Sequence, residues 1–260
     1  MNEISKSIAV LVVSCDKYAD LWQPFFTLFR RFWADCPLDV YLLSNHLEFS
    51  DLAVKSLKVG DDISWSDNLV KAVNELPHQY IFLFIDDLFL FGPVDNGRVL
   101  RVLEWAAAAR ADYIRLNPSQ KPDRPYNDLV GVVSPGTIYR TSTVISVWRK
   151  RILLNLLRPA ESAWDFEIKG SERSDEFDGF FSTWKDHFHV TNGVIKGKWR
   201  QYAVSRLDSL GVKVDLSMRS VMTETEEIVF FCKQQRSRLL NVLPPQHRRI
   251  IRSLFARDQF

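Results

Sequence analysis

Residues Tyr80-Ile-Phe-Leu-Phe-Ile85 form an unbroken apolar run that stops at two adjacent carboxylates, Asp86 and Asp87, and resumes at Leu88-Phe-Leu-Phe91. Such a run fits a strand covered on both faces, as in a parallel sheet sandwiched between helices. Charge is tolerated there only where the strand emerges into a site. Ligands of open α/β sheets bind outside the carboxyl ends of the strands, so Asp86 and Asp87 stand where a metal-phosphate group would be held. The pair also reads as a plain solvated strand end.

Ile8-Ala-Val-Leu-Val-Val13 is a second such run, and it breaks at Ser14-Cys15-Asp16-Lys17-Tyr18 as a strand passing into a loop does. A short lipoprotein-type signal ending at Cys15 is the competing reading; the run is short for it, and Glu3 dilutes the positive charge such a signal needs. From Leu21 to Trp33 the apolar residues recur at helical spacing, with Pro24 in the first turn, Arg30 and Arg31 late, and Asp20 as the expected cap. Val40 to Ser44 predicts a strand, and Leu69 to Leu76 a short helix capped by Ser66 or Asp67 and ended by Pro77. Asn96 to Ala111 predicts a helix and Asp112 to Leu116 another strand. This alternation predicts an α/β fold, a mainly parallel Rossmann-type sheet flanked by helices. The proline- and glycine-rich stretch 117–136 predicts a loop or small excursion, and 142–157 a further helix.

The chain has 260 residues, enough for one large α/β domain, here expected over 1–215 with a C-terminal extension over 216–260. No window holds the roughly 18 to 20 uncharged apolar residues of a membrane-spanning helix. A net charge of +2 carries no nucleic-acid signal, so no nucleic-acid partner is expected. Cys15, Cys36 and Cys232 are widely spaced and lack the C-x-x-C pattern of a zinc or redox site, which fits a reducing, cytoplasmic compartment. From Lys233 onward the basic residues Lys233, Arg236, Arg238, Arg248, Arg249, Arg252 and Arg257 face the single acid Asp258. Ile250, Ile251, Leu254 and Phe255 fall on one helical face between them. That pattern predicts a basic amphipathic helix lying on an anionic membrane surface, or else a terminal helix docked on the domain.

His187-Phe-His189-Val-Thr-Asn192-Gly193-Val-Ile-Lys196-Gly197-Lys198-Trp199 is the second informative segment. Imidazole suits a transition metal, glycine lets backbone approach a diphosphate, and lysine neutralises its oxygens. Two acids at a strand end and this basic loop are complementary halves of a metal-diphosphate site, although Lys-Gly-Lys is equally the sequence of a plain turn. Arg149, Lys150 and Arg151 read as cations solvating a helix.

Ser14-Cys15-Asp16-Lys17-Tyr18, Trp65-Ser66-Asp67, the strand ending Asp86-Asp87, and Glu161-Ser162-Ala163-Trp164-Asp165-Phe166-Glu167 with Gly170-Ser171 together resemble bacterial glycosyltransferases of surface-polysaccharide (O-antigen or capsule) gene clusters. The resemblance covers roughly 8–200 and implies the GT-A fold, a sheet that binds a nucleotide sugar. It implies that Asp87 holds a divalent metal, Mn²⁺ or Mg²⁺, against the donor diphosphate, with Asp86 facing the ribose or sugar. The two acids here are adjacent, where the family's element alternates them. His189, Gly193 and Lys196 are similar to a His-x-x-Gly-x-x-Lys-type loop with one extra residue, which implies His189 as a metal ligand and Gly193, Lys196 and Lys198 at the diphosphate. Asp16 and Asp67 are implied contacts of uracil or ribose. An inverting transfer needs a carboxylate base, and Asp165 or Glu167, beside Trp164, is the expected one. The implied partners are a nucleotide-sugar donor, a glycan or lipid-linked acceptor, and peripheral contact with the inner face of the cytoplasmic membrane. Two other readings stand beside this one: a sugar nucleotidyltransferase, although no glycine-rich phosphate loop follows the first strand, and a noncatalytic glycan-binding module.

Overall fold

The computed structural model describes residues 3–118 and 121–240. Its strands are β1 (Ile8–Val13), β2 (Asp39–Ser44), β3 (Val54–Lys58), β4 (Tyr80–Ile85), β5 (Leu88–Leu90), β6 (Tyr113–Arg115), β7 (Arg124–Pro125), β8 (Val130–Val132), β9 (Ser146–Arg149), β10 (Phe180–Thr183), β11 (Val190–Asn192), β12 (Val194–Ile195) and β13 (Lys198–Trp199). Its α-helices are α1 (Glu3–Ser7), α2 (Ala19–Phe32), α3 (Trp65–Glu75), α4 (Asn96–Ala108), α5 (Lys150–Leu156), the single turns α6 (Ala163–Asp165) and α7 (Ser171–Arg173), α8 (Gln201–Ser209) and α9 (Glu224–Leu240).

Successive side chains of a strand point to opposite faces, and in β1 both faces are covered. Val10 and Val12 enter a core with Phe25, Phe26 and Phe29 of α2 and Val99, Val102 and Leu103 of α4. Ala9, Leu11 and Val13 enter the other core, with Leu69, Ala72 and Val73 of α3 and Ile152, Leu153 and Leu156 of α5. That two-sided burial is why the sequence shows continuous apolar runs where a sheet with one wet face would alternate.

The main sheet has nine strands in the order β3-β2-β1-β4-β9-β6-β10-β8-β7. β1, β2, β3 and β4 pair in parallel, as do β6 and β10. β9 runs against β4 and β6, and β8 runs against β10 and β7, so these two alone oppose the other strands. The α/β, mainly parallel architecture read from the sequence is the one observed. The carboxyl ends of β1, β2, β3 and β4 therefore share one edge, and β9 starts there, its pairing with β4 ending at Leu83 opposite Ser146.

Several local expectations are corrected. Residues 142–157 are not one helix: Ser146–Arg149 is β9, inserted between β4 and β6, and only Lys150–Leu156 is helical. The run Val144-Ile-Ser-Val-Trp148 suits either element by periodicity. Tertiary packing decides, because Trp148 is fully buried against Tyr113, with ring centroids 4.3 Å apart, and Phe166. The cap of α3 is Ser64, whose hydroxyl accepts the Asp67 N–H, and not Ser66 or Asp67. Asp20 lies in the first turn of α2 but does not cap it; its carboxylate is committed elsewhere. The excursion 117–136 contributes β7 and β8, and β3 was not foreseen. The expected apolar face of Ile250, Ile251, Leu254 and Phe255 lies outside the described residues. No helix among the described residues is long and apolar enough to cross a membrane.

Candidate functional site

Asp86 and Asp87 follow the last residue of β4, at the edge where the exits of β1, β2 and β3 converge. The Ser14 hydroxyl donates to the Asp86 carboxylate and accepts the Trp22 indole N–H at 2.7 Å, so the β1 exit and α2 together hold Asp86 in place. Burial, and after it the neighbouring Asp87 carboxylate, push the Asp86 carboxyl well above its usual range, with Ser14 and Arg219 opposing. Burial likewise pushes Asp87 up to about 6, against its own backbone N–H and Arg219. The Oδ1 of Asp87 is buried and has no hydrogen-bond partner.

The structure brings the histidine-glycine-lysine segment to this pair. β11 pairs antiparallel with β5, and the Gly193 N–H donates to the Asp87 carbonyl at 2.7 Å. A β-carbon at Gly193 would run into the Phe89 ring, so glycine is what allows the hairpin backbone to reach the Asp87 carbonyl. Gly193→Ala forces that ring aside, and overpacking of this kind costs about 1–3 kcal/mol. Thermal unfolding should fall by several degrees, while an unchanged midpoint would show that the hairpin can move away freely.

Other residues singled out in the sequence take different places. In the β5–β11 register His189 stands opposite Phe91, four positions along from Asp87, or roughly 13 Å at ~3.3 Å per residue. Its ring lies against Gly92. Lys196 and Gly197, at φ 49° and 77°, form the two-residue turn joining β12 to β13, a type I′ geometry that favours glycine at its second position. Lys198 pairs with Glu226 of α9 at 2.5 Å. Asp16 spends its carboxylate on the N–H groups of Asn45 and His46, both 2.9 Å away, and on that of Leu47, lashing the β2 exit to the β1 exit. The Asp67 carboxylate accepts from the Ser64 hydroxyl at 2.6 Å and the Ala160 N–H at 2.9 Å, contacts that hold its pKa low and tie α3 to the 160–165 segment.

The two expected bases differ sharply. Asp165 closes a capping box with Ser162 and pairs with Lys169 at 2.7 Å, which together with Ser162 lowers its carboxyl to about 2. Glu167 is partly buried, and its Oε1 accepts from the Ser142 hydroxyl at 3.0 Å and from the Thr143 N–H and hydroxyl at 2.8 and 3.1 Å. Burial raises its carboxyl, with Thr143 and then Ser142 opposing. The turn presenting these donors ends at Ile145, whose φ of 35° is strained for a β-branched residue. That turn stands at the same sheet edge as Asp86, so of the two expected bases Glu167 is the one whose surroundings raise its proton affinity.

Arg219 was missed by sequence reasoning, since nothing in Ser217-Met-Arg-Ser220 distinguishes it. The chain returns after α8, stitched to β13 by bonds between Trp199 and both Ser220 and Met222. Arg219 thereby pairs with Asp20 at 2.8 and 3.1 Å, donates to the Lys17 carbonyl and lies 4.0 Å over the Tyr18 ring. Its charge bears on both Asp86 and Asp87. Asn68, at the start of α3, also enters this edge: its amide donates to Asp62 at 2.8 Å while its Oδ1 is buried and unpaired.

Among the described residues no three His, Cys, Asp or Glu side chains converge as a metal cage. Asp87 Oδ1 nevertheless fits a hard divalent cation in the mode where one carboxylate, water and substrate phosphates complete the shell. The raised carboxyl gives this a sign. An acid whose folded pKa of about 6 exceeds its ordinary 3.8 adds stability below 3.8 that disappears as pH rises through 6, about 3 kcal/mol at most. In EDTA the protein should therefore melt higher at pH 5.5 than at pH 7.5, and Asp87→Asn should flatten that slope; equal slopes would place the titrating group elsewhere.

No family model matches the sequence, and no curated protein matches it. Solved structures do resemble the fold. S. aureus TarS 1–349 in complex with UDP-GlcNAc superimposes with a TM-score of 0.52 at 10% identity, covering 93% of this chain and 69% of that one. A further structure of TarS 1–349 gives a TM-score of 0.44 at 10% identity over 68% of this chain, which spans 60% of that chain's length. A Drosophila galactosyltransferase 7 in complex with manganese, UDP-Gal and xylobiose gives 0.39 at 12% identity, over 72% of this chain and 71% of that one. The sheet order with its carboxyl-edge acids defines a mixed α/β protein with a GT-A-like fold.

Proposed function

We propose that this protein is a glycosyltransferase that moves a sugar from a nucleotide-sugar donor, a UDP-sugar, to a hydroxyl of a lipid-linked or polysaccharide acceptor in surface-glycan synthesis. The observation that carries the reading is the unpartnered, buried Oδ1 of Asp87 at the exit of β4, with Asp86 beside it and Gly193 backbone closing over it. A diphosphate leaving group accumulates negative charge as the glycosidic bond breaks. Asp87 would hold Mn²⁺ or Mg²⁺, which neutralises that charge when bound. Arg219 supplies a second positive charge at the same edge, and Glu167 takes the acceptor proton. Asn68 and the loop held by Asp16 lie on the nucleoside side of this edge, and Asp67 anchors the start of α3 next to them. In this reading the transferase unit comprises residues 1–215 together with the returning segment that carries Arg219, and the basic segment beyond 233 draws it to the anionic inner face of the membrane.

Calorimetric titration with UDP, GDP, CMP and ADP, each with and without Mn²⁺, tests the proposal. Metal-enhanced binding of one nucleoside diphosphate is the expected result. Absence of binding by all four would remove the donor site and favour a noncatalytic glycan-binding protein.

A further inference from the structure

The amino edge of the sheet, at the opposite ends of the strands from Asp87, carries a charged cleft of its own. Arg149 ends β9 opposite Tyr80, the first residue of β4. Lys150 and Arg151 follow it, and these three side chains with Gln79 and Leu154 line a cavity of about 350 Å³. Asp112, one residue before β6, faces them at 3.6 Å from Arg149 and 3.9 Å from Arg151. The charge of Arg110 bears on the same spot, beside Tyr80. Two guanidiniums thus flank one carboxylate, with Lys150 in the same lining and Arg110 near Tyr80 beside it.

The hydrogen bonding is as uneven as the charge. Lys150 is satisfied by the Leu76 carbonyl at 2.6 Å. The contacts of Arg149 and Arg151 with Asp112 are longer than hydrogen bonds, and among the described residues neither guanidinium donates one to the protein. Arg149 is in this state although its side chain is only 17% exposed. A guanidinium has five donors in a planar fork matched to tetrahedral oxyanions, and an enclosed one that uses none of them is prepared for a ligand from outside.

We infer that this cleft binds a phosphate group, supplied either by a soluble phosphate ester or by the headgroup of an anionic lipid. The site is separate from the carboxyl edge and does not depend on the transferase reading. Its probe is inorganic pyrophosphate, titrated calorimetrically in EDTA against the full chain, Arg151→Gln, Arg149→Gln and Arg219→Gln. Arg151 is 67% exposed, so its replacement does not endanger the fold. At least tenfold weaker binding in Arg151→Gln and Arg149→Gln than in the full chain is expected. Binding lost in Arg219→Gln but kept in Arg151→Gln would place the anion at the carboxyl edge and overturn the inference. Sedimentation with phosphatidylglycerol vesicles, phosphatidylcholine vesicles serving as the control, distinguishes the sources. Loss of vesicle binding in Arg151→Gln assigns the lipid headgroup, while pyrophosphate binding without such a loss assigns a soluble ester. If neither probe responds to Arg151, the cleft is not a phosphate site.

Discussion

Replacing Asp87 with alanine should cut donor turnover at least 100-fold while leaving the fold intact. Tenfold in rate corresponds to about 1.4 kcal/mol, so the loss asked for is about 3 kcal/mol, within what a metal or oriented charge contributes at a developing oxyanion. Stability should not suffer, because the Oδ1 of Asp87 is buried without a partner and its removal deletes a desolvated group. Release of UDP from UDP-sugars, measured with and without acceptor and alongside a thermal melt, checks both halves. Near-normal release by a folded Asp87→Ala protein would move the chemistry away from the end of β4. Glu167→Gln should behave differently, preserving donor binding and slowing transfer to acceptor, since its carboxylate lies on the acceptor side of the reaction in this reading.

The second large effect falls on the pair between Arg219 and Asp20. Their side chains are 9% and 6% exposed, and removing one partner of such a pair strands a buried charge at a cost of about 3–5 kcal/mol. For a chain of this size that corresponds to roughly 10 °C in melting temperature. Arg219→Gln should lose that much, and the double variant Arg219→Gln with Asp20→Asn should recover a good part of it, because no charge is then left unpaired. Additive losses in the double variant would show that the pair is not coupled. Arg219→Gln should also weaken UDP binding more than the melt accounts for at the assay temperature, because its charge bears on the Asp86–Asp87 edge. A variant that melts low yet binds UDP normally would leave Arg219 with a structural role only.

The division between what could be read and what could not follows from physical range. The runs Ile8–Val13 and Tyr80–Ile85 announced buried parallel strands, because burial on both faces imposes an apolar residue at every position. Asp86 and Asp87 stood out because charge inside such a run has a cost that must be met by something. The helices α2 and α4 were visible through their spacing, which is a local property. β9 was not, because Val144 to Trp148 satisfies either periodicity and only insertion between β4 and β6 makes it a strand. The caps were misplaced by two or three residues for a related reason: Ser64, Ser66 and Asp67 all have the chemistry of a cap, and backbone geometry chose Ser64.

For the candidate site, sequence by itself determined that acids end a central strand and that a glycine-bearing segment near residue 193 belongs with them. Tertiary structure decided which residues share the site. The β5–β11 register brought Gly193 to Asp87 and carried His189 about 13 Å away, a matter of pairing that composition does not encode. Lys198 was turned toward Glu226, and Asp16 and Asp67 toward backbone N–H groups. Arg219 arrived from a segment some 200 residues downstream of Asp20, its only signal being contacts that exist once the chain has folded back. Burial patterns are written along the chain because each residue meets solvent or core on its own account; pairings between distant charges depend on two positions at once, and a single sequence shows only one of them at a time.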